Sequence, residues 1–324
     1  MTRNPSTLQR AVGRIGAVLM GLGSILGSGV FVSLGLVAGV SGSWILPVIL
    51  AAACVAVCNG LSSAQLAASH PVSGGTYEYG HRYLDPWWGF AAGWMFLCAK
   101  SASAATAAMG LSAYLLGATG ASIAPWLPPL VLVGGLTLAV ARGIRVANRV
   151  NALVVGLAVV ALLVLVLVGA SSAMDRWPSG PSNAAPQPGS RIAEGIALMF
   201  VAFTGYGRIA TLGEEVVEPK RTIPVAIVVT LVFSAVLYGA VAWVGGTALA
   251  AGPAPLEGLA AELGIAPLIA LGAVCAMLGV LLNLLLGLSR VVLAMARRGD
   301  LPGIWAAIRG NGSPVAAVLV VGVL

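Results

Sequence analysis

The chain has 324 residues, of which 59% are hydrophobic and only 8% charged, and its mean hydropathy is +1.00. Soluble domains carry about 25% charged residues, so this composition excludes an ordinary soluble domain and indicates a membrane protein. The formal charge of +7 does not indicate nucleic-acid binding, because the basic residues are scattered between apolar stretches instead of forming one patch.

Five stretches contain no Asp, Glu, Lys or Arg: residues 15–77, 101–141, 151–174, 222–256 and 263–289. A membrane helix needs about 20 largely apolar residues, and the first two stretches are long enough for two crossings each. Because lipid cannot satisfy free backbone groups, we expect an all-α integral membrane protein.

The predicted spans, in chain order, are 15–40, 44–69, 87–116, a fourth ending near 141, 150–170, 192–212, 223–250 and 267–296. A loop at 70–86 and a Pro/Ser/Gly-rich link at 175–190 separate some of them. A ninth span begins near Pro314 and stops at Leu324, so we expect the sequence to be truncated at its C-terminus.

The basic residues predict the orientation, because cytoplasmic loops are enriched in Lys and Arg. A cytoplasmic N-terminus, residues 1–14, leaves only Arg176 and Arg191 outside. It places inside Arg3, Arg10, Arg14, Arg82, Arg142, Arg145, Arg149, Lys220, Arg221, Arg297, Arg298 and Arg309. The N-terminal segment lacks a cleavage site of the signal-peptide type. We therefore expect a multi-pass protein of the cytoplasmic (inner) membrane.

The first span carries four glycines within nine residues, at positions 21, 23, 27 and 29. Each weakens a helix by about 1 kcal/mol relative to alanine, which predicts a local break around residues 27–29. A broken helix exposes N–H groups that bind a carboxylate, and freed carbonyls near Ser24 and Ile25 could accept from an ammonium group. The alternative is close helix packing through small residues. The glycines alone leave both open.

The sixth span contains Gly205 and Gly207 near its middle, five spans after the first set of glycines. Transporters built from inverted repeats carry discontinuous helices at corresponding places in their two halves, and they bind substrate there. The matched positions favour a binding site near the middle of the membrane.

Several motifs now carry a family resemblance. They are the GSG of the first span, PVSGGTYEY at 71–79, FTGY at 203–206, EEVVEPKRTIP at 214–224 and SRVVLAMARRGDLP at 289–302. The chain resembles the amino acid–polyamine–organocation superfamily, near its bacterial amino acid permeases and its cationic amino acid transporter branch. The resemblance implies a 5+5 inverted-repeat fold with discontinuous first and sixth helices. The first repeat would cover 15–170, an extracytoplasmic loop 171–191, and an incomplete second repeat 192–324.

The resemblance also implies a binding site. The backbone at Gly27, Ser28 and Gly29 would hold the substrate carboxylate, and Phe203 would cover the site. Carbonyls near Ile25, Ala202 and Phe203 would hold the amine. Thr204 and Gly205 complete the predicted substrate-binding set, and the acidic stretch 214–218 would serve gating.

Lys100 lies within the third span, whereas the fifth span lacks the lysine that proton-coupled relatives often carry. A lysine at a helix centre costs about 3 kcal/mol on insertion scales, so it normally faces a cavity. We expect Lys100 to take a coupling or charge-balancing role. The alternatives are snorkelling and a structural ion pair.

Arg208 follows the sixth-span glycines. It could repel cationic substrates, or it could pair with Glu214 or Glu215, since unpaired buried charge is avoided. Arg208, Glu214 and Glu215 are therefore further candidates for coupling or gating.

These features predict secondary active transport of amino acids by alternating access, with proton coupling or exchange. The expected partners are an amino acid, protons in the case of proton coupling, and the lipid bilayer, with no nucleic acid, cofactor or metal. No Ser/His/Asp set, metal cluster or phosphate loop indicates an enzyme. The alternatives are a membrane sensor on the same scaffold and a transporter of a related amine or polyamine.

Overall fold

The computed structural model describes residues 8, 10–120, 123–174, 190–249, 254–308 and 313–323. Nearly all of the predicted link at 175–190, and Arg3, Arg176 and Arg309 of the orientation argument, lie outside the described residues. In the described ranges the chain is almost wholly helical, with two isolated β-bridges, Val12 to Val216 and Ser73 to Leu212.

The first predicted repeat contains seven α-helices. They are α1 (Arg14–Ser28), α2 (Leu34–Ser41), α3 (Ile45–Ser69), α4 (Thr76–Tyr83), α5 (Pro86–Thr119), α6 (Leu127–Ala141) and α7 (Ile144–Gly169). A π-helical turn, Gly29–Ser33, joins α1 to α2. Gly42 takes a φ of 53° between α2 and α3, so glycine ends the first span where the sequence predicts a break.

The remaining described chain contains α8 (Ser190–Phe203), α9 (Gly207–Ala210), α10 (Pro219–Gly245), α11 (Glu257–Glu262), α12 (Ala266–Arg298) and α13 (Val315–Val323). A 3₁₀ turn, Thr204–Tyr206, joins α8 to α9. These elements confirm the all-helical fold class, and both the first and the sixth span change hydrogen-bond pattern at the predicted glycines.

Some boundaries differ from the prediction. The loop predicted at 70–86 contains α4, because Gly74 and Gly75 turn the backbone at positive φ and the following helix buries Tyr77 and Tyr79. The fifth span begins at Ile144 instead of 150, since a polar first turn extends an apolar helix beyond the hydrocarbon.

Five described helical stretches are long and apolar enough to cross a membrane: Arg14–Ser69, Ile144–Ser172, Arg191–Ala210, Pro219–Gly245 and Ala266–Arg298. The first of these contains two predicted spans. Helix α12 lies at the centre of the bundle, where it packs against α1, α5 and α7. The protein is therefore a multi-pass membrane protein.

One end of the bundle, which we call the charged face, collects the four glutamates at 78, 214, 215 and 218 with their arginine partners. Glu215 and Arg290 form a bidentate pair that is almost completely buried, with side-chain exposures of 0% and 1%. Three more exposed pairs surround it: Arg297–Glu214 at 2.9 Å, Arg298–Glu78 at 2.6 Å and Arg14–Glu218 at 3.5 Å. The start of α1, helix α4, the segment that follows the sixth span and the end of α12 thus meet on one face.

The buried pair should dominate the stability of the charged face. Glu215→Gln removes one charge without changing volume and leaves Arg290 buried and uncompensated, so we expect a loss of about 3–5 kcal/mol in the free energy of unfolding. Unfolding in mixed detergent micelles measures it. Glu218→Gln is the matched control, because its pair is 61% exposed on each side and should contribute less than about 1 kcal/mol. Equal effects of the two substitutions would contradict this assignment.

Candidate functional site

The interruption of the first span is a change of helix type at Gly29. The hydrogen-bond pattern passes from α to π and back to α, a feature that often marks functional sites. Glycine is required on both sides of Ser28 by close packing. A Cβ at Gly27 would lie 2.6 Å from the carbonyl oxygen of Ala276, and one at Gly29 would overlap the hydroxyl of Tyr238.

Helix α10 holds the first span by two hydroxyl groups. Tyr238 Oη donates to the carbonyl of Ile25 at 2.7 Å, and Thr230 Oγ1 donates to the carbonyl of Val18 at 3.4 Å. The ring of Tyr238 also packs against that of Phe203, with centroids 5.1 Å apart. Ile25 and Phe203 are both fully buried in these contacts.

The interruption of the sixth span touches that of the first. A Cβ at Gly205 would lie only 2.4 Å from the carbonyl oxygen of Ser24, so the two backbones meet directly at the 3₁₀ turn. Only glycine allows this approach. The two predicted interruptions are therefore brought together in space.

A cavity of about 110 Å³ opens beside this contact, between the first, third, sixth and eighth spans. Its polar and charged lining residues are Ser24, Ser28, Ser33, Lys100, Ser103, Thr106, Thr204, Arg208 and Asn283. This volume is several times the roughly 10–15 Å³ that a cavity needs to hold one water, so the cavity has room for a small polar ligand. No acidic side chain lines it in the described part of the chain.

The structure places the predicted substrate-binding residues in two groups. Ser28, Ala202, Thr204 and Gly205 line the cavity. Gly27, Gly29, Ile25 and Phe203 lie behind that lining, in the packing contacts with α10 and α12 described above. The first-span glycines thus lie in close packing contacts, whereas the neighbouring Ser28 lines the cavity.

Lys100 reaches the cavity from α5. Its Nζ donates to Thr204 Oγ1 at 3.1 Å and lies 5.9 Å from the centre of the Phe96 ring. Thr204 Oγ1 in turn donates to the carbonyl of Val201 at 2.7 Å. No ion pair to Lys100 occurs among the described residues. The lysine therefore joins the third span to the interruption of the sixth.

Arg208 is 4% exposed and also lines the cavity. Its Nη1 donates to Thr211 Oγ1, while its buried Nε and Nη2 atoms have no hydrogen-bond partner within the described residues. The predicted alternative of a pair with Glu214 or Glu215 is not found. Glu215 is engaged by Arg290 and Glu214 by Arg297, and both arginines belong to α12, which is distant in the sequence.

Sequence reasoning missed three lining residues on α5: Phe96, Ser103 and Thr106. They recur with Lys100 at helical spacing of three or four, so one face of α5 carries all four. That spacing is the sequence pattern from which these lining residues could have been predicted. Asn283 of α12 is a further polar lining residue that the sequence did not assign. In the structure it donates to Asn151 of α7 and to the carbonyl of Gly279.

The chain matches the family described as amino acid permease over residues 16–324. An uncharacterized transporter of Mycobacterium tuberculosis is 39% identical over 98% of this chain and 73% of its own length. The branched-chain amino acid permease BcaP of Bacillus subtilis is 28% identical over 93% of this chain and 70% of its own. The crystal structure of MhsT in complex with L-phenylalanine shares the fold, with a TM-score of 0.66 at 19% identity over 98% of this chain and 78% of MhsT.

The contact between the two interruptions can be tested with neighbouring glycines. Gly205→Ala places a methyl group against the Ser24 carbonyl and should cost about 1–3 kcal/mol in stability and reduce ligand binding. Gly207→Ala meets nothing within 4 Å and should be neutral or stabilising by up to about 1 kcal/mol. Thermal unfolding of both purified variants measures the difference. A well-folded Gly205→Ala protein with unchanged stability would contradict the observed backbone contact.

Proposed function

Because the chain belongs to the amino acid permease family, we propose that it carries amino acids across the cytoplasmic membrane by alternating access, with its N-terminus in the cytoplasm. One observation carries the proposal: the polar cavity lies inside a bundle of apolar spans, beside the contact between the first and sixth spans. A zwitterion inside lipid needs such polar partners, because burying an unpaired charge is strongly unfavourable.

The proposed binding mode uses the backbone near the interruptions. The α-carboxylate would lie at the π turn, against the hydroxyl of Ser28 and the backbone of residues 27–29. The N–H of Gly29 donates to the carbonyl of Leu26 in the observed state and would have to be released to reach the carboxylate. The α-ammonium would lie towards the carbonyls around Ser24, Ile25 and Ala202, beside Thr204 and Gly205. Phe203 would act as a gate by leaving its packing against Tyr238. Four of these residues line the cavity, which supports the assignment.

The charged face is the proposed cytoplasmic gate. Its ion pairs tie the end of α12 to the segments that follow the second and sixth spans. Access from that side requires these segments to separate, and the more exposed pair of Glu214 with Arg297 would open before the buried pair of Glu215 with Arg290. In this scheme the two repeats, 15–170 and 192–324, move relative to each other around the cavity.

Lys100 is the proposed coupling residue. It is the basic group that joins α5 to the sixth-span interruption, so a change in its protonation would alter a contact at the binding site directly. Proton coupling and exchange are both compatible with this arrangement, and the test below separates them.

Uptake into proteoliposomes tests transport. We expect the reconstituted protein to accumulate at least one radiolabelled amino acid from a panel of acidic, neutral and basic members, above the level of empty liposomes. Binding without uptake, measured by thermal stabilisation with the same panel, would contradict transport and favour a sensor on this scaffold. Uptake of an amine or polyamine alone would contradict the substrate class.

Lys100→Gln tests coupling. If Lys100 carries the coupling proton, an inward pH gradient should stimulate the unsubstituted protein several-fold and the variant not at all, while exchange of internal for external substrate persists. Arg145→Gln is the control, because Arg145 is an exposed cation on α7 away from the cavity. A Lys100→Gln variant that keeps its full dependence on the pH gradient would refute the coupling role.

A further inference from the structure

The cavity is lined by two basic side chains and no acidic one within the described residues. A zwitterionic amino acid brings one charge of each sign, so its binding leaves the excess of positive charge unchanged. The one carboxylate near Arg208 is that of Glu215, and both its oxygens are already held by Arg290. The two positive charges that line the cavity therefore have no negative group beside them in the described part of the chain.

Arg208 shows which edge of its guanidinium is open. Nη1 is engaged by Thr211, whereas Nε and Nη2 are buried and have no hydrogen-bond partner within the described part of the chain. These two N–H groups form the side of the guanidinium that binds both oxygens of one carboxylate. In a protein interior, two unsatisfied charged donors on one side chain are costly, so their presence points to a missing partner.

Two other arginines of this protein bind a carboxylate through their Nε and Nη2 atoms. Arg290 uses Nε and Nη2 to hold the two oxygens of Glu215. Arg298 uses the same pair of nitrogens to hold the two oxygens of Glu78, at 3.0 and 2.6 Å. Arg208 lines the cavity, and no carboxylate from the described chain occupies this edge of its guanidinium, whose two nitrogens are buried in the observed state.

We propose that the substrate is an amino acid whose side chain ends in a carboxylate, of the aspartate and glutamate class, and that Arg208 is the residue that selects it. This inference rests on the proposed transport function. The side-chain carboxylate binds Nε and Nη2 of Arg208, and Lys100 adds a second positive charge across the cavity. Basic amino acids are excluded, because their side chains would place a third cation there.

The decisive comparison uses amide analogues, which keep shape and remove the charge. In competition against uptake of radiolabelled glutamate and aspartate, each acid should show an apparent affinity at least about 10-fold higher than that of glutamine or asparagine. The reason is that hydrogen bonds between charged groups are stronger than those to a neutral amide. Arginine and lysine should not compete. This measurement uses the unsubstituted protein and needs no variant to fold.

Substitution then assigns the selectivity to Arg208. Arg208→Gln should lower the affinity for glutamate at least about 10-fold while leaving the affinity for glutamine unchanged or higher. Arg208→Lys should have an intermediate affinity for glutamate, because lysine keeps the charge but cannot bind both carboxylate oxygens through two nitrogens. Arg145→Gln removes an exposed cation and should leave the ranking intact. Size-exclusion profiles and thermal unfolding show whether each variant is folded.

The outcomes separate the two proposals. Uptake of neutral or basic amino acids, with no competition by glutamate or aspartate, overturns the acidic substrate and leaves transport standing. It would mean that Arg208 holds the α-carboxylate of a neutral substrate. Acidic substrates transported with equal affinity by Arg208→Gln would overturn the role of Arg208. Absence of any amino acid uptake overturns both proposals.

Discussion

The structure depends on one close approach, between the backbone of Gly205 and the carbonyl of Ser24. In lipid, a helix can change its hydrogen-bond pattern only where protein or a polar cavity surrounds it. The first and sixth spans surround each other at the turns where their helices change hydrogen-bond pattern. The cavity lies beside this contact, and the contact fixes the positions of the groups that line the cavity. Moving the two spans apart by one methyl group would disturb all of them.

Charge is distributed in two ways that serve different purposes. At the charged face, acidic and basic side chains are paired, and the buried pair of Glu215 with Arg290 is fully engaged. In the cavity, Lys100 and Arg208 have only neutral hydrogen-bond partners among the described residues. Because Glu215 is committed to Arg290, it is not available to Arg208, seven residues earlier in the chain. The static ion pairs thus leave the positive charge of the cavity uncompensated, which is the basis for an anionic ligand group.

Much of the fold was readable from the sequence, because uncharged stretches of sufficient length have one structure in lipid. The glycines at 27, 29 and 205 located the two interruptions correctly. Helix boundaries and the short helix α4 were missed, since polar residues at the membrane surface carry little periodic signal. The form of the interruptions, π in one span and 3₁₀ in the other, depends on tertiary contacts with Tyr238 and Ser24 that a single sequence does not reveal. The partner of Glu215 was missed for the same reason, because Arg290 is distant in the chain.

The two hydroxyl contacts from α10 have a mechanical consequence. Thr230 and Tyr238 bind carbonyls of the first span at two levels, both on the N-terminal side of the π turn. The N-terminal half of the span, α1, is therefore bonded to α10, and we expect α1 and α10 to move together as one rigid unit. The half beyond the turn, α2, packs against α8 and carries no such clamp among the described hydrogen bonds. Within the π turn the hydroxyl of Tyr114 on α5 donates to the carbonyl of Phe31 at 3.1 Å, so bending of the span at residues 29–33 requires this one bond to break while both bonds to α10 remain.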